Sequence, residues 1–318
     1  MLHRNLIMFF CLVAMQTWSP SGPLHAQTSS GELTRTELLT GFTERAFLGM
    51  NRVDVEAAFK TLARTVGITR GYDVETSFIK IDTPQQIMGL SSSEGPGLIA
   101  IDTWSYLELA DEDWLEPLFV PADRGRVDKQ FLLIVNQDKN YTDIATLRGM
   151  TLNQLAVTNT SLMDHWLENI LLSRDLGKPE DFFAMIRQYS DPLSAVLPVF
   201  FGQVDAALID KAGFNLMIEL NPQLQVLQPL AVSDPLVNAV LCLNRSGWQP
   251  EAFRMVLLEE LENLHASPAG QQILTLFKID RLVPFQPEFL DTVRKLRGMA
   301  TPESQDRSGA PARPEKSH

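Results

Sequence analysis

The feature that most restricts this chain is a phrase it uses twice between Leu147 and Asp210: an apolar run short enough for a strand, a polar turn, and the start signal of a helix. Leu147-Arg148-Gly149 leads into the strand-like run Met150 to Val157, which reaches the polar triplet Asn159, Thr160 and Ser161. Leu162, Trp166, Leu167, Ile170 and Leu171 then recur at helical spacing, with Ser161 and Asp164 set like a capping box. Gly177 ends that helix and Pro179 prevents its continuation. Asp191-Pro192 starts another helix, Leu193 to Phe201 supply it, Gly202 closes it, and the buried-strand run Val204 to Ile209 delivers Asp210. Strands and helices alternating in this way belong to a parallel α/β sheet.

The same phrase has chemical content. A strand, a polar turn and a helix N-terminus leave free backbone N–H groups beside hydroxyls, which suits an anion. Asn159, Thr160 and Ser161 are therefore candidate ligand contacts, with a plain helix cap as the alternative role for Ser161. Asp210 falls where open parallel sheets place ligands, at the carboxyl end of a strand. Its alternative is to cap the helix that follows.

The rest of the chain keeps the alternation. Leu38 to Phe42 reads as a first strand leading into a loop at Thr43, Glu44 and Arg45, and Asn51 to Val66 as an amphipathic helix with Gly67 after it. Tyr72 to Ile81 is strand-like, Thr83-Pro84 starts a helix through about Leu90, and Leu98 to Ile101 is a buried strand ending in Asp102. Trp104-Ser105-Tyr106-Leu107 should begin the next helix. Leu118 to Pro121, Phe131 to Val135 and Leu224 to Gln228 are further strand runs. Helices with proline near their starts follow at Pro250 to Leu264, Pro268 to Phe277 and Pro287 to Leu296. The charged turn from Asp123 to Lys129 and the stretch Pro229 to Val240 are candidate crossings between two lobes.

A chain of 318 residues has room for two moderate domains. At its start, Arg4 precedes the apolar run Leu6 to Met15 and the small-residue site Leu24-His25-Ala26. That is the pattern of a cleavable signal peptide over residues 1–26, and it predicts an exported protein of the periplasm. Cys11 would leave with it, and Cys242 remains in the apolar run Val240 to Leu243, a buried strand position. The net charge of -12, with no basic stripe, argues against nucleic acid or an anionic membrane as partner. Any anion site must then work through local donors. Phosphate-loop, dinucleotide, zinc-ligand and serine-elbow patterns are missing, and His165 and His265 have no ligand set beside them in sequence, so no cofactor, metal or catalytic residue is expected.

From about Leu39 to Leu296 the chain resembles the substrate-binding proteins of phosphonate and phosphite ABC transporters, within the bilobed type II periplasmic binding proteins. The matching residues are Leu98-Ile99-Ala100 leading to Ser105-Tyr106, the Phe131 to Val135 strand, Ile144 to Thr151, Gly202-Gln203-Val204-Asp205-Ala206-Ala207, and Val283-Pro284-Phe285 before a last helix. The resemblance implies two α/β lobes joined by two crossover strands, with a small ligand in a central cleft and a closing hinge. With the candidate crossings it gives the first part of lobe 1 at 31–128, lobe 2 at 129–236 and the second part of lobe 1 at 237–298, while proline, serine and charge from Met299 onward read as a disordered tail at 299–318. It also implies ligand contacts at Asn159, Thr160, Ser161, Asp102, Ser105, Tyr106 and Asn238, to which the strand-end reading adds Asp210.

This sequence departs from the family at several of these positions. The serine-threonine-serine-glycine turn of the family corresponds to Asn159, Thr160, Ser161 and Leu162; its histidine at the next helix start corresponds to Pro192 beside Asp191; the glycine after the first-lobe strand is Asp102. The acid used for amine recognition falls at Asn238, with Asp234 close by. A charged Asp102 facing a bound anion would be costly, and Arg45 and Arg187 are the cations weighed against it. The expectation is a monomeric periplasmic solute-binding protein that captures a small polar or oxyanion ligand for an inner-membrane ABC permease. Alternatives are a sensory subunit read by a membrane histidine kinase, or an enzyme using Asp102 and Asp210.

Overall fold

Two separate β-sheets carry this chain, and it passes between them twice. The computed structural model describes residues 32–43, 52–81, 83–90, 95–109, 113–155, 161–246, 248 and 250–298. Of these, residues 33–298 belong to one compact unit. The expected signal peptide and the expected tail both lie outside the described residues.

The first sheet opens with β1 (Thr34–Thr43), followed by α1 (Arg52–Thr69) and β2 (Tyr72–Ile81), which pairs parallel with β1 along its whole length. Gly67 does not end α1. It is buried inside the helix, where a Cβ would lie 2.5 Å from Val74 Cγ2, and the left-handed turn comes at Gly71, φ 86°. Gly67 thus lets α1 lie close on β2, while Gly71 supplies the backbone geometry that stops it.

The short α2 (Pro84–Met88), capped by Thr83, precedes β3 (Leu98–Asp102), the one-turn α3 (Thr103–Tyr106) and β4 (Leu115–Ala122). The first crossing then contains β5 (Asp128–Lys129).

The second sheet begins with β6 (Phe131–Asn136), all of whose residues are buried. Leu132 and Ile134 join one apolar cluster and Leu133 and Val135 another, so both faces of this strand are covered. After it come β7 (Thr151–Leu155), α4 (Ser161–Leu172), α5 (Pro179–Phe182), β8 (Met185–Tyr189) and α6 (Pro192–Phe200). Pro179 therefore starts a short helix as well as blocking the earlier one. Then follow β9 (Ala206–Asp210), α7 (Lys211–Leu220) and β10 (Leu227–Val232). The run Leu224 to Gln228 is divided: Pro222–Val226 is a 3₁₀ turn and the strand starts only at Leu227.

The return crossing contains β11 (Leu236–Val237), and β12 (Ala239–Asn244) re-enters the first sheet. The chain ends with α8 (Glu251–Glu262), α9 (Pro268–Leu276), β13 (Arg281–Pro284) and α10 (Asp291–Leu296). Cys242 is fully buried in β12, as expected of an apolar strand.

The first sheet has the order β13-β4-β12-β3-β1-β2 and the second β10-β6-β9-β7-β8, while β11 and β5 form a two-stranded ribbon of their own. The alternation of strands and helices pointed to parallel pairing, and both sheets combine it with antiparallel pairs. β1 runs parallel to β2 and β3, and β7 to β8 and β9, but β12 is antiparallel to β3 and β6 to β9. The cause is the crossings. β6 and β12 arrive from the other sheet instead of from a covering helix, so the right-handed helical return that makes neighbours parallel does not apply.

Candidate functional site

The strand register locates both sheet ends against the crossings. Ala239, the first residue of β12 after the return crossing, pairs with Asp102, the last residue of β3. Phe131, the first residue of β6 after the outgoing crossing, pairs with Asp210, the last residue of β9. The carboxyl ends of the parallel strands in both sheets therefore adjoin the ribbon between them, which is where ligands of open α/β sheets bind.

Asp102 is 1% exposed and caps α3, accepting the backbone N–H of Ser105 at 3.0 Å. The Thr43 hydroxyl donates to its other carboxylate oxygen at 3.3 Å and accepts the Asp102 N–H at 3.2 Å. Each of its carboxylate oxygens thus accepts one hydrogen bond, from α3 and from the end of β1. Beside it, Thr103 donates its hydroxyl to Val237 O at 2.6 Å and its N–H to Asn238 O at 3.0 Å, fastening the turn after β3 to the return crossing.

Asn238 is 7% exposed, and neither its Oδ1 nor its Nδ2 has a hydrogen-bond partner. Among the described residues it is the side-chain amide with both polar atoms buried and unpaired. Asp234, four residues earlier, is exposed and paired with Lys295 at 2.9 Å.

Ser105 is buried in α3, and Tyr106 packs edge-on against Phe285 within the main core, where burial pushes its hydroxyl well above the ordinary tyrosine range. In the second sheet Asp210 caps α7 through the Gly213 N–H at 2.7 Å. Lys211, the first residue of that helix, donates to Gln130 Oε1 at 2.9 Å, and Gln130 donates to Ser233 O at 2.9 Å. Sequence reasoning missed this tie between α7 and both crossings, because its members are scattered along the chain and none belongs to a local motif.

Asn159 and Thr160 lie outside the described residues, as do Glu44 and Arg45; Ser161 is described only as the first residue of α4. The first turn of that helix is fastened to the second sheet by the buried Gln154, which donates to Asp164. Arg187 is exposed on β8 beside Met185, and Asp191 caps α6 through the Ser194 N–H at 2.7 Å.

α3 and α4 meet directly: Trp104 stacks on His165, ring centroids 3.5 Å apart and planes 10° from parallel. Among the described residues no group of three or more His, Cys, Asp or Glu is placed to hold a metal ion, and no helix is long and apolar enough to cross a membrane.

The motif Gly202 to Ala207 has a structural role. Asp205 accepts the Thr151 N–H at 3.0 Å and the Tyr141 hydroxyl at 2.9 Å, binding the start of β9 to β7. Burial first, and then that carboxylate, push the Tyr141 hydroxyl up to about 12.

Comparison with known proteins agrees with this architecture. The fold is similar to that of a Xanthomonas citri protein solved with ATP, at TM-score 0.58 and 16% identity over 82% of this chain and 96% of that one. PhnD1 of Prochlorococcus marinus, solved with methylphosphonate, gives TM-score 0.54 and 14% identity over 82% and 96%. A binding-protein component of a Pseudomonas aeruginosa ABC phosphonate transporter gives 0.53 and 15% over 82% and 85%. No curated protein matches by sequence. A family model described as the periplasmic substrate-binding protein of phosphonate ABC transporters matches residues 51–289, a span that takes in the second sheet, both crossings and every strand of the first sheet except β1. By that match the chain belongs to the phosphonate ABC-transporter substrate-binding family, the solute-binding components of importers.

Proposed function

We propose that this protein is a periplasmic solute-binding component that takes a small oxyanion ligand of the phosphonate or phosphite type into the crevice beside the β5–β11 ribbon. The observation that carries the reading is the unpaired amide of Asn238. A buried polar group without a partner costs about 1–3 kcal/mol, and a ligand that both donates and accepts there removes the cost.

In this reading each sheet is the body of one lobe. Thr160 and Ser161 at the head of α4 supply hydroxyl and N–H donors from the second lobe, and Asn238 and Ser105 line the first. Lys211 brings a cation to the carboxyl end of β9, a local counter to the chain's net charge of -12. Asp102 and Asp210 act as caps that orient the turns and do not face the anion, so the carboxylate at the family's glycine position does not repel it. Closure follows because a ligand touching both lobes binds the closed state better.

The neutral Asn238 also bears on selectivity. A carboxylate would pair with an ammonium group, whereas an amide leaves that charge uncompensated. Methylphosphonate or phosphite is therefore favoured over an aminoalkylphosphonate.

Thermal-shift titration of the mature protein with methylphosphonate, phosphite, phosphate and 2-aminoethylphosphonate tests this. A ligand at about 100 times its dissociation constant adds about 2.7 kcal/mol of stability. Asn238→Leu should abolish the methylphosphonate shift while leaving the ligand-free protein as stable or more so. A response to none of these anions would end the proposal.

A further inference from the structure

We infer that Trp104, His165 and Arg297 form a clasp across the two lobes, and that the clasp sets the fraction of ligand-free protein that is closed and thereby the ligand affinity. The inference rests on the solute-binding reading above.

The members of the clasp are rooted on opposite sides. Trp104 belongs to α3, whose neighbouring Thr103 is fastened to the return crossing at Val237 and Asn238. His165 belongs to α4, whose first turn is fastened to β7 through Gln154 and Asp164. Arg297 follows α10. Its guanidinium lies 4.7 Å from the centre of the Trp104 ring, donates to Trp104 O and approaches Glu108 at 3.5 Å.

One turn beyond His165, Asn169 donates to Leu296 O at 3.2 Å. His165 and Asn169 are four residues apart and so share one face of α4. That face meets first-lobe elements at both positions, and α4 begins at Ser161, four residues before His165.

The hinge itself is slight: β5 and β11 pair only at Lys129 with Leu236 and at Asp128 with Val237. A ribbon so short leaves the lobe angle to contacts elsewhere. The stack is suited to making and breaking, because Trp104, His165 and Arg297 are each only partly buried. Aromatic stacking and the cation over a tryptophan ring both gain from close approach and vanish within a few ångströms of separation. Because α4 carries the proposed anion turn at its head, the helix that would hold the ligand is the helix the clasp holds.

The test measures closure independently of any ligand. Spin labels on cysteines introduced at the exposed Lys60 of α1 and Glu219 of α7 report the inter-lobe distance in the full mature chain. Trp104→Ala and His165→Ala should move the ligand-free distance distribution toward longer values, Arg297→Ala less so, and Trp104→Phe should restore the shorter population. Urea midpoints of His165→Ala and Trp104→Phe should stay near that of the parent, which separates loss of closure from loss of fold. Methylphosphonate affinity should fall about tenfold in His165→Ala, in proportion to the lost closed population.

Unchanged distances in His165→Ala and Arg297→Ala would overturn the clasp, including in the case where Trp104→Ala fails to fold. If the parent protein ignores methylphosphonate, the ligand reading fails while the distance measurement still decides the clasp.

Discussion

Asp102 and Asp210 are the same local device in the two sheets, each closing a strand and capping the helix that follows, yet their surroundings differ. Asp102 is 1% exposed and shared between the Ser105 N–H and the Thr43 hydroxyl, whereas Asp210 is half-buried and accepts the Gly213 N–H. Asp191, at the head of α6, is a third version, exposed and bonded to the Ser194 N–H. The comparison teaches that a cap's value depends on what is stacked over it. Where β1 brings Thr43 against the carboxylate, removing the acid strands buried partners; where water reaches the site, it replaces them.

Mutation should grade these positions. Asp102→Ala has the largest expected effect, about 3 kcal/mol, from the lost cap together with buried donors left on Ser105 and Thr43. Asp102→Asn, which keeps one acceptor, should lose about half of that. Urea denaturation of both variants checks the pair, and an Asp102→Ala midpoint equal to the parent's would erase the distinction drawn between the caps.

Asp210→Ala should cost about 1 kcal/mol, the ordinary value of an N-cap, by the same measurement. Gly213→Ala sharpens the point: the added Cβ would lie 2.8 Å from Asp210 Oδ2, so the gain in helix propensity of up to about 1 kcal/mol is offset by a displaced cap. Its net effect should be within about 0.5 kcal/mol of zero, and clearly positive once combined with Asp210→Ala.

The smallest effect is at Asp191. Hydrogen bonds from Ser194 hold its carboxyl below the usual range. A depressed folded-state value stabilises above the unfolded pKa, and that contribution is lost as pH falls below about 4. Asp191→Asn should therefore lower the urea midpoint slightly at pH 6, by an amount that shrinks as the pH falls below about 4.

Much of this was written locally. Tyr72–Ile81 reads as a strand from its alternation and is one over the same residues. Thr83-Pro84, Asp191-Pro192 and Ser267-Pro268 start helices in the structure because a capping oxygen and a proline at the first position act within one turn. The failures have equally specific causes. Met185–Tyr189 escaped notice because it is an edge strand with mostly exposed residues and no apolar alternation, and Arg281–Pro284 because it is a four-residue edge strand too short to show one. Gly67 imitates a helix end by composition, although what it answers to is the nearness of Val74 on a neighbouring strand.

The candidate site divides along the same line. That Asp102, Asp210 and Ser161 stand at the junctions of strands and helices follows from residue order alone, since caps, turns and periodicity act over a few neighbouring residues. Which of those junctions lie beside the crossings depended on strand register. It brings Asp102 beside Ala239 and Phe131 beside Asp210. The unpaired amide of Asn238 and the stacking of Trp104 on His165 likewise arise from contacts between distant parts of the chain. Burial and long-range pairing are properties of the packed whole, and no window of sequence contains them.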